Sequence, residues 1–559
     1  MAFSWKFSGS SASGKPLPDF RVLAFTGRDD ICLGYVFDAL VLTGKLLADA
    51  AQTLQTDLIG ARRLTLTGKR DSGESMARHG IAEEVSWLFS TDGSSLFRVL
   101  LRPSSFRLRL SSHSRIFLNM ALPRLFDKLL LNENLTAGSD FENNLGSGYA
   151  TRPLTCQYNE TSFNFLTRHL ERVGGYSYIR QTDDGDALVL ADGDTSATAL
   201  PVRDSLDWNE QKLDEVVFSF ARAKAAGPTK VILRDHSPEL SGALTSADVF
   251  ETRHARGGGE VNCYGLHNIF GEMNSEGFTS QDAQYQTKKM ASARLRALVS
   301  AANQVRGEST VPWLQAGYAF TLNGERFQLL NVRHACNLAG SAEEEKLLRR
   351  AAGLGFEAGD FEEGYRNSFI CHPLDIGPFA PECSAARPVV PGIVHAKVDA
   401  AGSGDYAELD KHGRYKVKFF FPEKIIAADA EVSQDGRWSI PLRMMQSHAG
   451  PNSAGIHFPL LKGVEVLVVF TDGDPDRPII LGALPNPAHP SVVVDANQQE
   501  NKIQTPGGHS ISLTDTETKK EISLKTPGGH SIAMRDEIGK REIRLDSPCG
   551  GSYLRIREP

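Results

Sequence analysis

The sequence predicts a mainly β, multidomain fold. Three observations point to it: the chain is 559 residues long, short strand-like runs recur along most of it, and its C-terminal part repeats a strand–turn–strand unit. A chain of this length exceeds what one hydrophobic core supports, so three or four domains are expected. The predicted parts are an α+β region at 1–372, a linker at 373–392, a small barrel at 393–490 and the repeats at 491–559.

Composition and charge exclude several classes of protein. A net charge of −7 and an isoelectric point near 6.1 give no reason to expect a nucleic-acid or anionic-membrane partner. Residues 1–20 lack the apolar core of an export signal, and the strongly apolar run at 463–470 has only the length of a strand. We therefore expect a cytoplasmic chain without a signal peptide and without stable membrane insertion.

The N-terminal region mixes the two periodicities of secondary structure. Apolar runs of strand length occur at 35–43, 97–103, 107–112, 216–223 and 326–336. Stretches of helical pattern occur at 119–132, 161–174 and 280–305. In the second of these, Thr161 is a candidate N-cap and Gly174–Gly175 a candidate stop.

The next two parts of the chain differ in composition and residue pattern. Residues 373–392 are dense in proline and small residues, which is typical of an interdomain linker. From 393 to 484 the pattern is all strand: "IVHAKV", "RYKVKFFFP", "RWSIPLRM", "GVEVLVVF" and "RPIILGAL", separated by turns rich in glycine and aspartate. Five strands in about 90 residues suit a small closed barrel of the OB type.

The C-terminal part repeats with a period of 21 residues. "IQTPGGHSISL" at 503–513 returns as "LKTPGGHSIAM" at 524–534 and, degenerate, as "LDSPCGGSYLR" at 545–555. Alternation of apolar and polar residues gives each strip one apolar face with nothing in its own unit to cover it. The residues alone leave three alternatives: a hairpin sheet packed on the barrel, a single-chain solenoid, or a homotrimeric β-prism with a shared apolar axis.

Several segments carry a family resemblance. "GDPDRPIILGALPNPAHP" (473–490) and "DKHGRYKVKFFFP" (410–422), with "ARHGIAEEV" (77–85) and "LTCQYNETSFNFLTRHLERVGGYSYI" (154–179), resemble the VgrG spike (tip) proteins of bacterial type VI secretion systems, which are related to myophage tail hub and spike proteins. The resemblance implies a phage-hub-like N-terminal region of β-barrels with helices, an OB-fold domain and a C-terminal intertwined trimeric β-prism or β-helix. Of the three alternatives for the repeats, the resemblance therefore favours the homotrimeric β-prism.

The family also implies roles for named residues and partners. The partners would be two further copies of the chain, a tube protein below the hub, and a PAAR-like cap or an effector at the tip, with no nucleic acid. The chain would be cytoplasmic until fired and then translocated into a target cell. Candidates for the trimer axis are Ile503, Ile511, Leu513, Ile522, Leu524, Ile532, Met534, Ile543 and Leu545. The signature turn of the OB domain would be Gly473, Asp474, Pro475, Asp476, Arg477 and Pro478.

The signature turn has two interpretations. Asp474, Asp476 and Arg477 resemble a catalytic acid cluster. Alternatively, glycine and proline shape a tight turn in which Asp476 and Arg477 pair or cap backbone groups. We favour the structural interpretation because the pattern is that of a turn.

The repeats carry two candidate ligand sites. His509 and His530 recur beside the Gly-Gly pairs, and stacked by threefold symmetry they would form rings for a metal or anion on the axis. The favoured alternative places them toward solvent, because alternation gives the inward positions to apolar neighbours. Cys549 is either an axial thiol or a small residue in a crowded turn, and the second is favoured.

Catalytic and cofactor motifs are missing from the sequence. There is no HExxH, GxSxG or Walker-type motif, and the seven cysteines form no CxxC pair. We expect no enzyme, no cofactor and no metal site. The alternatives are a phage or phage-tail-derived spike, a secreted glycan-binding or hydrolytic protein with a β-rich tail, and a nucleic-acid-binding OB protein.

Overall fold

The structure is a computed structural model, and it divides into two compact units. The first comprises Met1–Ile393, Phe421–Leu442 and Val469–Ile479, and the second comprises Val394–Phe420, Arg443–Val468 and Ile480–Pro559. Among the described residues, no helix has both the length and the apolar content that crossing a bilayer requires. The residues described are 4–18, 20–69, 75–193, 197–212, 215–236, 244–250, 253, 257–265, 280–357, 364–400, 404–427, 439–537, 539, 541–548 and 553–557.

Strands dominate the chain. The helices are α1 (Ala48–Ile59), α2 (Leu122–Asn132), α3 (Ser162–Arg172), α4 (Ser280–Ala302) and α5 (Ala342–Ala352). The strands up to residue 373 are β1 (Ser4–Ser10), β2 (Phe20–Asp30), β3 (Gly34–Gly44), β4 (Arg63–Lys69), β5 (Ser75–Ser90), β6 (Ser94–Arg102), β7 (Ser112–Met120), β8 (Phe141–Asn144), β9 (Arg152–Thr161), β10 (Tyr176–Gln181), β11 (Asp186–Ala191), β12 (Ser205–Trp208), β13 (Val216–Arg222), β14 (Lys230–His236), β15 (Leu244–Phe250), β16 (Glu260–Tyr264), β17 (Val305–Ser309), β18 (Ala319–Leu322), β19 (Glu325–Asn337) and β20 (Gly364–Pro373). The later strands are β21 (Ile393–Val398), β22 (Tyr415–Phe419), β23 (Lys424–Ala427), β24 (Ile440–Leu442), β25 (Glu465–Phe470), β26 (Pro478–Leu484), β27 (Glu500–Gln504), β28 (Ser510–Asp515), β29 (Lys520–Lys525), β30 (Ser531–Arg535), β31 (Glu542–Asp546) and β32 (Tyr553–Arg557).

Two six-stranded β-barrels form the centre of the first unit. One runs in the order β1-β4-β5-β6-β3-β2 and is closed by pairing of β1 with β2, while the other runs β19-β18-β12-β13-β17-β20 and is closed by β19 with β20. Pairing of β2 with β19 joins them. Closure leaves neither barrel a free edge, and their cores are filled with aromatic rings. Fully buried examples are Phe7, Phe20, Phe25, Tyr35, Phe37, Phe97 and Phe320.

Smaller sheets and helices complete the first unit. The sheet β23-β7-β9 lies with α3, and Phe117 of β7 stacks on Phe165 of α3. The sheet β15-β14-β16 packs against α4, with Leu233 and Met290 buried between them. The six cysteines among the described residues are free, and four of them are buried.

Helix α3 begins and ends where the sequence predicts. The Thr161 side chain accepts a hydrogen bond from the backbone N–H of Asn164 at 3.1 Å, as an N-cap does. At the other end Gly174 has φ +78°, and the N–H of Gly175 donates to the carbonyl of Leu170. The helix therefore ends on a left-handed glycine.

The strand predicted at 107–112 is wrong for most of its length. Residues Ser104–Arg109 form a 3₁₀ helix, and β7 begins only at Ser112. Ser104 donates through its backbone N–H and its hydroxyl to the carboxylate of Asp186, which fixes the first turn of that helix. Ser105 and Leu108, three residues apart, are both buried, whereas Leu110 is exposed, so Leu108 and Leu110 do not share one buried face as they would in a strand.

The proline-rich segment at 373–392 is fastened to the first unit. The carboxylate of Glu171 in α3 accepts from the backbone N–H groups of Ser384 and Ala385, at 2.7 and 2.9 Å, and from the Ser384 hydroxyl at 3.0 Å. Phe379 is buried and packs edge-on against Tyr176. The division of the chain into the four predicted parts remains a prediction.

Each of the five runs predicted for the barrel at 393–490 contains a strand. The sheet order is β24-β22-β21-β25-β26, and a parallel bridge between Met444 and Ile480 closes it into a ring. The side chains of Val398, Val417 and Val466 are buried in its core. A small five-stranded ring of this kind has the architecture of the predicted OB-type barrel.

The repeats form one antiparallel sheet of six strands in chain order, β27 to β32. Each strand pairs with the next along the chain. Cys549, for which the sequence leaves two interpretations, lies outside the described residues. The mainly β, multidomain fold predicted from sequence is thus confirmed.

Candidate functional site

The apolar side chains of the repeat sheet stand in two continuous rows on one face. Strand register places the members of each row directly opposite one another across neighbouring strands. The first row is Ile503, Ile511, Leu524, Ile532, Leu545 and Leu554; the second is Leu513, Ile522, Met534, Ile543 and Ile556. We call these eleven side chains the apolar face.

The apolar face is open in the single chain. Its members are between 40% and 61% exposed, from Ile511 to Leu554. Isolated exposed apolar residues are ordinary, but a contiguous patch of this kind marks an interaction surface. The sheet is a single layer whose hydrophobic side is left without a covering layer among the described residues.

The opposite face is polar, and several of its side chains pair with one another. Arg535 pairs with Glu521 at 2.7 Å and with Glu542 at 3.0 Å, and Arg555 also pairs with Glu542. The Glu542 side chain is only 4% exposed because these arginines cover it. Ser512 and Ser523 share a hydrogen bond of 2.9 Å on the same face. The charges of Glu521, Arg535 and Glu542 are therefore compensated within this face.

A groove of about 650 Å³ runs along the first row of the apolar face. Its walls include Phe458, which comes from the second unit's barrel region, and the two repeated histidines, His509 and His530. Both histidines are exposed and stand at the end of a turn. Whether they form rings on an axis stays a prediction. Among the described residues no group of three or more His, Cys, Asp or Glu side chains is arranged to hold a metal.

The repeated Pro-Gly-Gly turns set the register of the sheet. In the first, the N–H of Gly508 donates to the carbonyl of Thr505 at 2.9 Å, and the N–H of Thr505 donates to the carbonyl of His509 at 2.8 Å. Gly508 and its counterpart Gly529 both have φ +87°, a left-handed conformation that glycine adopts without strain at the end of each turn. A Cβ on Gly508 would lie 3.4 Å from Pro527, so successive turns stack on one another.

All nine residues predicted for the axis lie on the apolar face, and the structure adds two. Leu554 and Ile556 of β32 complete the rows. They were missed because the third repeat is degenerate, although the alternation in "SYLRIR" carries the same period of two.

The signature turn lies in the first unit and is tightly closed. The N–H of Asp474 donates to Thr471, and the N–H of Asp476 donates to the side chain of Asp474 at 2.9 Å. Gly473 has φ +69°, and a Cβ there would lie 2.5 Å from Val389, so only glycine fits. Pro475 and Pro478 flank the two charged residues of the turn.

The charged residues of the signature turn contact distant parts of the first unit. The Asp476 carboxylate accepts from the backbone N–H of Cys156 at 2.5 Å. Arg477 pairs with Asp235 of β14 at 3.2 Å and donates to the carbonyl of His236 at 3.0 Å. Asp476 thus caps a backbone group, while Arg477 pairs with a residue outside the turn.

Burial perturbs the carboxyl groups of the turn. Burial, together with the neighbouring Asp474 carboxylate, raises the pKa of Asp476 to about 6 against the lowering effect of Arg168. Burial also raises the pKa of Asp474. The Arg168 guanidinium acts on both carboxyl groups, together with Arg387 and Arg172 at Asp474 and with Arg152 at Asp476, an arrangement suited to fastening the turn.

Comparison with known proteins supports the same architecture. A family model described as phage tail baseplate hub (GPD) matches residues 39–336, which is 298 of the 559 residues. Type VI secretion system spike protein VgrG5 of Pseudomonas aeruginosa is 28% identical over 476 residues, covering 83% of this chain and 56% of the relative. Spike protein VgrG4b of the same organism is 24% identical over 515 residues, covering 90% of this chain and 59% of the relative.

A solved structure shares the fold. It is an E. coli protein described as a component of the type VI secretion system with structural similarity to the T4 bacteriophage tail proteins gp27 and gp5, matched with a TM-score of 0.55 at 19% identity over 83% of this chain and 97% of that one. The present chain spans 56% and 59% of the lengths of the two curated relatives. The resemblance to VgrG spike proteins predicted from sequence is confirmed, and the chain belongs to the phage tail baseplate hub (GPD) family.

Proposed function

We propose that this chain is the homotrimeric puncturing spike at the tip of a type VI secretion tube. The observation that carries the proposal is the apolar face, eleven side chains that remain at least 40% exposed in one chain. Three copies arranged around a threefold axis bury these faces against one another, as in an intertwined β-prism. The curated relatives of the chain are spike proteins of that secretion system.

The two faces of the sheet suit this role. The apolar face supplies the shared core, and the ion pairs of Glu521, Arg535 and Glu542 give the outside a charged surface. A prism held by cross-strand hydrogen bonds and a common core unfolds slowly, because its strands separate only together. The work of such a spike is mechanical, so no catalytic residue is assigned.

The partners follow from the position of a spike on a tube. The two barrels of the first unit would form the hub that contacts a tube protein, and the sheet end would carry a PAAR-like cap or an effector. The chain would be cytoplasmic until firing and then translocated. These assignments rest on the family and on the division between closed barrels and an open sheet.

The oligomeric state of the full chain tests the proposal. Light scattering should give a mass near three times 61.0 kDa, and the assembly should resist SDS without heating. Truncation near Asn497, which removes the repeat sheet, should abolish SDS resistance. A monomeric full chain would overturn the proposal, because the apolar face would then have no occupant.

A further inference from the structure

Polar residues border the apolar face on the same side of the sheet. In a β-strand every second side chain lies on one side. Along β28 and the residue before it, the side chains on the side of the apolar face are His509, Ile511, Leu513 and Asp515. The same pattern recurs 21 residues later along β30, with His530, Ile532, Met534 and Asp536. Alternation therefore places both repeated histidines on the side of the apolar face, at its border.

The strands between these carry different border residues. The register sets Lys520 of β29 opposite Asp515 and, continued one residue beyond its other end, Thr526 opposite His509. The border beside the Pro-Gly-Gly turns, which we call the turn border, consists of Thr505, His509, Thr526, His530 and Ser547. The border at the other ends of the strands, which we call the charged border, consists of Asp515, Lys520, Asp536 and Arg541. The two borders are chemically complementary, because one carries imidazole groups and the other carboxylates.

Within one chain the imidazole and carboxylate groups of the two borders cannot meet. His509 and Asp515 lie six residues apart on one strand, which at about 3.3 Å per residue separates them by about 20 Å. Neither His509 nor His530 forms a side-chain hydrogen bond or an ion pair with another described residue, and both are exposed. The Asp515 carboxylate accepts a hydrogen bond from the Asn501 side chain at 3.1 Å, which leaves most of its acceptor capacity unused. The site is therefore incomplete in a single chain.

A threefold assembly brings the two borders together, and this step rests on the trimer proposed above. If three sheets surround an axis that runs across the strands, rotation about that axis sets every strand level with its equivalents in the other copies. The turn border of one copy then meets the charged border of the next copy at each of three corners. His509 and Asp515 lie at the two ends of the same strand, so they are level with each other across a corner. His530 and Asp536 are level for the same reason.

We propose that the two histidines of each turn border bind the two aspartates of the next copy's charged border, His509 to Asp515 and His530 to Asp536. A carboxylate accepts a hydrogen bond from imidazole in either protonation state and is attracted by the charged one. The apolar rows alone do not fix the height of one copy against the next, because every strand from β28 to β31 contributes two apolar residues. A shift by one strand, about 4.8 Å, would set Lys520 beside His509 in place of Asp515. The contacts therefore select the level arrangement, which is the one that closes a ring.

Disulfide cross-linking of the full chain tests the contact. In the double variant His509→Cys/Asp515→Cys the two new thiols of one chain are about 20 Å apart, whereas a disulfide needs Cβ atoms about 4 Å apart. Oxidation should therefore join neighbouring copies and give a covalent trimer on a denaturing gel, which reduction returns to monomers. In the matched control His509→Cys/Asp536→Cys the second thiol lies two strands away, about 10 Å from level. This control should show only the background of the wild-type chain, whose own cysteines are kept.

Exchange of the two side chains is a second, independent test. His509→Asp sets two carboxylates side by side at each corner, and Asp515→His sets two imidazoles there. Each should weaken association roughly 10- to 100-fold, because an exposed pair contributes roughly two- to fivefold and three corners multiply the effect. The double exchange His509→Asp/Asp515→His restores the pair in reverse order and should recover most of the loss, as measured by light scattering over a dilution series.

The outcomes separate this contact from the proposed function. A wild-type trimer whose His509→Cys/Asp515→Cys variant does not cross-link above the control would overturn the contact and leave the trimer standing. A double exchange that associates no better than the single substitutions would do the same. A wild-type chain that is monomeric by light scattering would overturn both.

Discussion

Replacing Ile511 by aspartate is the most direct test of the apolar face. Ile511 lies in the first row between Ile503 and Leu524, and it is 40% exposed in the single chain. If three chains bury this face, the substitution removes apolar contact and places a carboxylate in a shared core. If the face stays in water, the substitution loses only packing within its own sheet and leaves the mass of the protein unchanged.

The size of the effect follows from the exposed fraction. Complete burial of an isoleucine side chain is worth about 1.5–3 kcal/mol, so the 40% that assembly would bury contributes about 0.6–1.2 kcal/mol per chain. An unpaired buried carboxylate costs several kcal/mol more. With a loss of about 3 kcal/mol or more in each chain, the free energy of trimer association becomes less favourable by about 10 kcal/mol. This loss weakens association by about seven powers of ten.

The assay is light scattering after gel filtration, together with SDS electrophoresis of unheated samples. Ser512→Asp is the matched control, because Ser512 is the next residue of the same strand, points to the polar face and lies opposite Lys502. We expect Ile511→Asp to be monomeric and Ser512→Asp to keep the wild-type mass. An Ile511→Asp protein of unchanged mass and SDS resistance would refute the assignment of this face to the assembly.

Three further predictions concern the fold itself. Gly508→Ala should lower the free energy of unfolding in urea by about 1–2 kcal/mol, because the residue has φ +87°. Gly507→Ala is the matched control and should be nearly neutral, because no atom outside its immediate neighbours lies closer than 3.9 Å to the added Cβ. Burial raises the pKa of Asp29 from 3.8 to about 7, so the folded state binds a proton that the unfolded state lacks, and stability should fall as pH rises from about 4 to 7. Asp29→Asn should flatten this fall of stability with pH and raise the free energy of unfolding at pH 8 by at most about 4 kcal/mol. If stability falls as steeply with pH in the variant, Asp29 is not the source of the pH dependence. Arg477→Met should lower the unfolding free energy by about 3–5 kcal/mol by removing the buried partner of Asp235, and a loss below about 1 kcal/mol would mean that the pair contributes little.

The sequence predicts the local features of the repeat sheet well. Alternation alone assigns Ile522 and Leu524 to one face, because a strand places every second side chain on the same side. The Pro-Gly-Gly turn fixes how two strands pair, so the rows of the apolar face follow from turn chemistry and period. Alternation does not reveal what covers the face, since that depends on other chains.

Local sequence patterns do not predict contacts between residues that are far apart in the chain. The sequence of the signature turn predicts a tight turn, and Gly473 satisfies that prediction. It contains no sign that Asp476 would accept a bond from Cys156, or that Arg477 would pair with Asp235, because these partners are hundreds of residues away. The proline-rich segment gives a similar lesson, since its composition does not indicate that Glu171 fastens it.

The direction of the two rows of the apolar face sets the direction of a shared axis. Both rows run across the strands, from β27 toward β32. If three copies bury these rows against one another, the axis runs across the strands as well, so the β27 and β32 edges of the described sheet lie at opposite ends of the prism. A solution mass near three times 61.0 kDa would favour this prism, whereas a mass near twice 61.0 kDa would favour a face-to-face pair of sheets.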